Sequence, residues 1–388
     1  MNQGVAITKS VLILGGAPEV EIVQQELLAL GYQVHWAPLE ERAFALETLN
    51  VPGLAVYPGA ELVGLEGHVG HFTAHLEHGS ERFTVSAAAI VVATGNERYY
   101  PAERYRVALA PRVLTVPQIR QQLDAPRSTR AALPHRHERI MFLLDWGGET
   151  AKETATEALQ VALRLRQEWH CEVCVFYRDL KVDTYNLERL TREMRDRGVV
   201  FCRYNDPQVT ADDEGVNLTS TEGTLRGEML ILPEAVRPRA NTAELAALLR
   251  VNVGEDGYFQ DVNIRHYRPG ISNRKGILFA GRCHLEADEA TLLADAYQAA
   301  ANVDALLGAG FLAPEEIVAQ VDSSKCIRCL TCIRTCPHAA VELAEEQDVV
   351  AAKVVELACQ GCGACVANCP VRAITLVGQW MPAWVQGS

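Results

Sequence analysis

No apolar run in these 388 residues approaches the length of a membrane-spanning helix. The longest candidate, AAAIVVATG at residues 87–95, is sized for one buried strand. Positive charge is also scarce, with 36 Lys and Arg against 49 Asp and Glu for a net −13 and no basic stripe. Nucleic acid is therefore not expected as a partner. The opening MNQGVAITKS lacks the apolar stretch of a secretory signal, and only four of the twelve cysteines lie outside two short runs. A disulfide framework is excluded on that usage, and a reducing, cytoplasmic setting is expected. Low-complexity segments are absent, and the one internal repeat is a cysteine run. With 48 % apolar and 22 % charged residues, the composition is that of an ordinary globular chain with room for two or three domains.

What is present is concentrated near the C-terminal end. CIRCLTCIRTCP at 326–337 spaces four cysteines by three, three and four positions and ends on a proline. Cys359, Cys362, Cys365, Cys369 and Pro370 repeat it. Each is a C-x2-C-x2-C-x3-C-P run, the pattern of bacterial ferredoxins. The first three cysteines share a tight loop and reach three irons of one cubane, while the fourth is expected to head a short helix and point away. In two-cluster ferredoxins the fourth cysteine ligates the other cluster. On that pattern one [4Fe–4S] cluster takes Cys326, Cys329, Cys332 and Cys369, and the other takes Cys359, Cys362, Cys365 and Cys336. A zinc ribbon needs only two C-x2-C pairs and leaves the doubled C-P runs unexplained.

Ahead of the clusters, SVLILGGAPEVEIVQQELLALGYQVHWAPL reads as strand, glycine turn, amphipathic helix and strand, the opening βαβ of a dinucleotide-binding fold. Residues 61–95 alternate like an antiparallel meander that runs into a buried strand ending in Ala93, Thr94 and Gly95. RIMFLLDWGGETAKETATEALQ opens a second α/β unit. RKGILFAGRC and the Ala-rich helix behind it return to the first. The expected domains are 1–125 and 236–312 (the two pieces of an FAD-type domain), 138–235 (an inserted nicotinamide-type domain), 318–378 (the ferredoxin) and 379–388 (a tail).

In order along the chain, LEGHVGHF, AAIVVATG, CVFYRDLKV, GVVFCRY, DGYFQDVNIRHYRPGISNRKGILFAG and the cysteine runs resemble the A-type subunits of heterodisulfide reductase and their relatives. Those relatives include the flavoprotein subunits of quinone-interacting membrane-bound oxidoreductases. The resemblance implies an α/β fold like thioredoxin reductase, with two dinucleotide-binding domains, plus a small α+β ferredoxin domain. It also implies membership of a larger redox complex that passes electrons between flavin and iron–sulfur clusters, in some members with bifurcation.

The FAD-contacting positions implied by that likeness are Gly15, Gly16, Ala17, Thr94, Gly95, Gly281 and Arg282. Here the chain departs from the pattern. Ala17 and Val20 replace two fingerprint glycines, Pro18 removes a phosphate-facing N–H, and Glu19 adds negative charge. Pro38 stands where an acidic residue would hold the ribose, and Arg282 where many flavoproteins have aspartate. Two alternatives stay open, FAD in its usual pose and a flavin fold without flavin, the second slightly favoured. Around DWGGETAKET, Asp145, Glu149 and Glu153 argue against NAD(P). Cys171 and Cys174, three apart on a strand, point to opposite faces and read as core rather than a redox pair, as do Cys202 and Cys283. His68, His71, His75 and His78 read as a solvated sheet face. The tail offers Trp380, Met381, Pro382 and Trp384, either folded back or anchoring a neighbouring chain of the complex.

The residues together predict an electron-transfer subunit that relays through two clusters between partner subunits. A flavin enzyme acting on a thiol, quinone or nicotinamide, and a non-catalytic scaffold, are the alternatives.

Overall fold

The computed structural model describes residues 4–16, 18–39, 51–125, 136–181, 186–205, 207–221, 223–262, 268–346 and 349–378. Ala17, the segment 40–50 and the tail from 379 onward lie outside them. The chain divides into two units. The first comprises Met1–Gly95, Pro238–Leu285 and Leu292–Ser388, and the second Asn96–Arg237 with Glu286–Thr291. Among the described residues no helix is long and apolar enough to cross a membrane.

In the first unit, five parallel strands lie in the order Ile277–Phe279, Ala89–Val92, Ser10–Leu14, Gln33–Ala37 and Leu54–Val56. All five residues of Ser10–Leu14 are buried, as a near-continuous apolar run covered on both faces must be. The helix Glu19–Ala29 follows that strand. The helix Glu289–Leu307 turns Leu292, Ala296, Ala299, Ala300, Val303 and Leu307 inward at three- and four-residue intervals, the spacing of one helix face. Strands Glu61–His68, His71–His78 and Glu81–Ala87 form the antiparallel meander, with a register irregularity between Leu62 and Gly64.

The second unit repeats the scheme. Its parallel sheet runs Val113–Thr115, Met229–Leu232, Arg139–Leu143, Glu172–Tyr177 and Val200–Arg203. The long helix Lys152–Glu168 follows the strand Arg139–Leu143. Thr115 and Gln118 make a reciprocal capping box at the helix Val116–Asp124. Cys171 and Cys174 are buried here. Burial pushes the Cys171 thiol up to about 11 and the Cys174 thiol in the same direction, so both stay protonated core side chains. Cys283, in the first unit, is 2 % exposed, and burial raises its thiol far above the usual range. His68, His71, His75 and His78 lie on the meander, and the His75 imidazole sits 3.8 Å from Glu66.

At the C-terminal end of the first unit, strand Ile317–Val321 pairs antiparallel with Ile374–Gly378, and Val341–Glu346 pairs with Val349–Val354. Short helices Thr331–Thr335 and Ala364–Ala367 sit between the strands. The fourth cysteine of each run does not head its helix. Cys336 caps the end of Thr331–Thr335 in extended conformation, and Cys369 comes just after Ala364–Ala367. The proline behind each cysteine explains the reversal, because the residue before proline is pushed out of the helical region.

Candidate metal centre

Cys326 and Cys359 stand 33 positions apart, and the same interval relates every feature around them. Backbone left-handed positions occur at Arg328, Leu330 and Ala339, and again at Gly361, Gly363 and Arg372. These turns wind each C-x2-C-x2-C loop around a common centre. Cysteine sulfurs accept backbone N–H groups in the same paired fashion. Ala340 donates to Cys336 Sγ at 3.4 Å and Ala373 to Cys369 Sγ at 3.2 Å. Across the halves, Ala352 donates to Cys326 Sγ at 3.5 Å and Ala319 to Cys359 Sγ at 3.4 Å.

The fourth cysteine of each run lies beside the first three of the other run. Cys369 lines one pocket with Cys326, Cys329 and Cys332, walled by Val321, Ile333, Leu343 and Ile374. On the other side, burial and then the charges of Cys336, Cys359 and Cys362 push the Cys365 thiol up to about 11. A thiol this reluctant to ionise alone becomes a ligand by losing its proton to the surroundings as a metal binds. All eight are unpaired as disulfides. Four soft sulfur donors, apolar walls and N–H groups aimed at sulfur are what a [4Fe–4S] cluster requires, and those N–H bonds tune its potential.

One residue of the α/β body touches both halves of this domain. Asn273 is 4 % exposed, and its Nδ2 donates to the Pro337 carbonyl. Its own carbonyl oxygen lies 2.6 Å from His338 Nδ1 and accepts Gln360 Nε2 at 3.3 Å. Arg250 Nη2 adds a bond to the Ile333 carbonyl at 3.3 Å. Sequence reading missed this anchor, since an asparagine in ISNRKG carries no distinctive spacing.

The residues expected around FAD gather where the strands Ser10–Leu14, Ala89–Val92 and Ile277–Phe279 end. Gly15 has φ +128°, and a Cβ there would collide with the Ala93 carbonyl, so only glycine fits. Trp36 Nε1 donates to the Gly15 carbonyl at 2.7 Å. Thr94 Oγ1 is buried without a hydrogen-bond partner. The Gly281 N–H is held by Asp295 Oδ2 at 2.7 Å, and Arg282 Nη1 lies 2.9 Å from Glu19 Oε1. In the second unit, Asp145 and Thr150 exchange bonds of 2.7 and 3.0 Å. Arg104 lies over the glycine turn, donating to the carbonyls of Trp146 at 2.7 Å and Glu149 at 3.0 Å.

Residues 319–376 match the family model of a 4Fe-4S dicluster domain. An A-type iron-sulfur subunit of CoB–CoM heterodisulfide reductase from Methanopyrus kandleri is 27 % identical over 66 % of this chain and 43 % of its own length. Its counterpart in Methanocaldococcus jannaschii is 26 % identical over 71 % of this chain and 45 % of its own. A protein of Archaeoglobus profundus described as like the same heterodisulfide reductase subunit is 32 % identical over 32 % of this chain and 18 % of its own. The chain thus spans less than half the length of these relatives. Among solved structures, LpdA from Mycobacterium tuberculosis superposes with TM-score 0.50 at 16 % identity, covering 78 % of this chain and 73 % of that one. That likeness concerns the fold alone, and it agrees with two parallel-sheet units built on βαβ turns. The chain resembles the A-type subunits of heterodisulfide reductase, with a two-dinucleotide-domain flavoprotein fold and a 4Fe-4S dicluster domain at residues 319–376.

Proposed function

We propose that the chain is an electron-transfer subunit of a heterodisulfide-reductase-like redox complex, relaying electrons through two [4Fe–4S] clusters between partner subunits. One cluster is held by Cys326, Cys329, Cys332 and Cys369, the other by Cys359, Cys362, Cys365 and Cys336. The observation that carries this reading is Cys369 lining the pocket of the first run, 37 positions beyond its nearest partner Cys332. Each cluster, when bound, accepts and releases one electron. The protein's part is to hold four thiolates, exclude water with Val321, Ile333 and Ile374, and aim N–H groups at sulfur. Asn273 and Arg250 fix this domain against the α/β body, whose role is to set the distance to the neighbouring subunits. Thiols free of disulfides suit a cytoplasmic setting.

A second reading, flavin chemistry in the body, has the unpartnered Thr94 hydroxyl in its favour. Isolation without oxygen, with iron, sulfide and flavin counted per chain, tests the first. About eight irons are expected, as two cubanes require. A content of about four or fewer, or clusters that dithionite cannot reduce, would sink the relay.

A further inference from the structure

In each α/β unit, the helix that follows the middle strand of the parallel sheet carries a buried glutamate in its first turn. Glu19 is the first residue of Glu19–Ala29, and Glu153 the second of Lys152–Glu168. Their side chains are 5 % and 4 % exposed. Each is met by an arginine from another element, Arg282 in the turn Gly281–Cys283 and Arg98 in the strand Asn96–Tyr99. Arg282 Nη1 reaches Glu19 Oε1 at 2.9 Å, and Arg98 Nη2 reaches Glu153 Oε2 at 3.5 Å. Asn96 Nδ2 adds a bond of 2.9 Å to Glu153 Oε1. Arg98 also pairs with Glu157 at 2.6 Å, which fixes the arginine in place.

A helix start at the carboxyl edge of a parallel sheet is where such folds seat the pyrophosphate of a dinucleotide, because free N–H groups and the helix dipole favour an anion. A buried carboxylate persists only if paired and hydrogen-bonded. In this chain the arginine pairs with and hydrogen-bonds each carboxylate, and the anion it satisfies belongs to the protein. A dinucleotide brings two more negative charges to the same spot, where like charge repels them. The Gly281 N–H is already taken by Asp295. Against all this stands, among the described residues, the orphaned hydroxyl of Thr94, a neutral group whose burial costs far less than that of an unpaired charge. The residues present do not fit FAD or a nicotinamide dinucleotide in the usual pose.

We propose that Glu19 and Glu153 are built-in anions that occupy the phosphate positions of both dinucleotide-type units, so the body holds neither FAD nor NAD(P). The α/β body then serves as a frame, and the clusters carry the electrons.

The test uses the full chain purified without oxygen, with its clusters loaded. Wild-type protein, titrated with FAD and with NADH by tryptophan quenching and equilibrium dialysis, is expected to show no saturable binding, and stoichiometric retention of either overturns the proposal. Inorganic pyrophosphate is the second probe. Glu19→Gln is expected to bind it about tenfold or more tightly than wild type, read as a thermal shift. Glu19→Gln with Arg282→Met should lose that gain. Equal pyrophosphate response in wild type and Glu19→Gln overturns the built-in anion. If Glu19→Gln does not fold, the wild-type titrations decide alone. Iron content and cluster resonance spectra on the same samples report separately on the electron relay, so either reading can fail without the other.

Discussion

His338 Nδ1 lies 2.6 Å from the carbonyl oxygen of Asn273. The contact joins the turn behind the first cysteine run to the α/β body, and the same oxygen receives Gln360 beside Cys359. One backbone group thereby holds both halves of the dicluster domain. The Asn273 side chain braces it, accepting the Asn252 N–H at 2.9 Å and donating to the carbonyls of Arg250 and Pro337. Asn273→Ala strands these buried groups and is expected to cost about 1–3 kcal/mol in thermal unfolding. Iron content should stay at the wild-type level, while hydrogen exchange around Pro337 accelerates. Unchanged exchange would show that the anchor carries no weight.

Cys369→Ser should disturb the cluster of Cys326, Cys329 and Cys332, not that of its sequence neighbours Cys362 and Cys365. Electron paramagnetic resonance of the reduced protein, compared with Cys336→Ser, separates the two cases. Loss of the second-run signal in Cys369→Ser would mean that ligation is local.

Arg328 and Leu330 hold left-handed backbone angles, φ 57° and 62°, where the second half has Gly361 and Gly363. A left-handed L-residue costs about 1–2 kcal/mol, offset in part by the greater freedom of glycine in the unfolded chain. Arg328 is exposed, so little packing is lost on its removal. Arg328→Gly is therefore expected to raise stability by up to ~1 kcal/mol. The same change removes a positive charge from the first run, where Lys325 is already paired with Asp322 at 2.7 Å. The first-run cluster should become harder to reduce in a redox titration. A variant that is both less stable and unchanged in potential refutes this account.

His284 sits between two carboxylates, Nδ1 3.1 Å from Asp261 and Nε2 3.3 Å from Asp295, with its side chain 1 % exposed. Burial alone would push the imidazole down. The hydrogen bonds and charges of the two aspartates outweigh it and raise it to about 9. A raised value means that the folded state holds the proton more tightly than the unfolded chain. This stabilisation is complete below pH about 6.5 and fades as the pH climbs through about 9, by roughly 3 kcal/mol in all. Urea unfolding between pH 6 and 9.5 should show the decline, and His284→Asn should flatten it.

The cysteine runs, the opening βαβ turn, the meander and the burial of Cys171, Cys174 and Cys283 could be read from spacing, period and residue type. The direction of each fourth cysteine's helix could not, because four or five residues of helix leave no periodic trace and the deciding influence was the proline behind it. Arg282 invited a phosphate-binding role, yet its partner is Glu19, 263 positions away. A pairing that distant leaves no local pattern. The alanines at 319, 340, 352 and 373 act through backbone N–H groups, so their side chains advertise nothing. Trp380 and Trp384 lie beyond the described residues.

With the ligation proposed above, the two halves of the dicluster domain trade a ligand and an N–H donor each way, Cys369 and Ala352 inward to one centre, Cys336 and Ala319 to the other. An exchange of this kind makes maturation an interlocking process. Neither half can close its own coordination sphere, so filling one site organises loops that the vacant one needs, and half-loaded protein is a disfavoured intermediate. The same interlock binds the repeats through evolutionary time. A duplication whose copies have swapped parts cannot lose one copy and keep the other working.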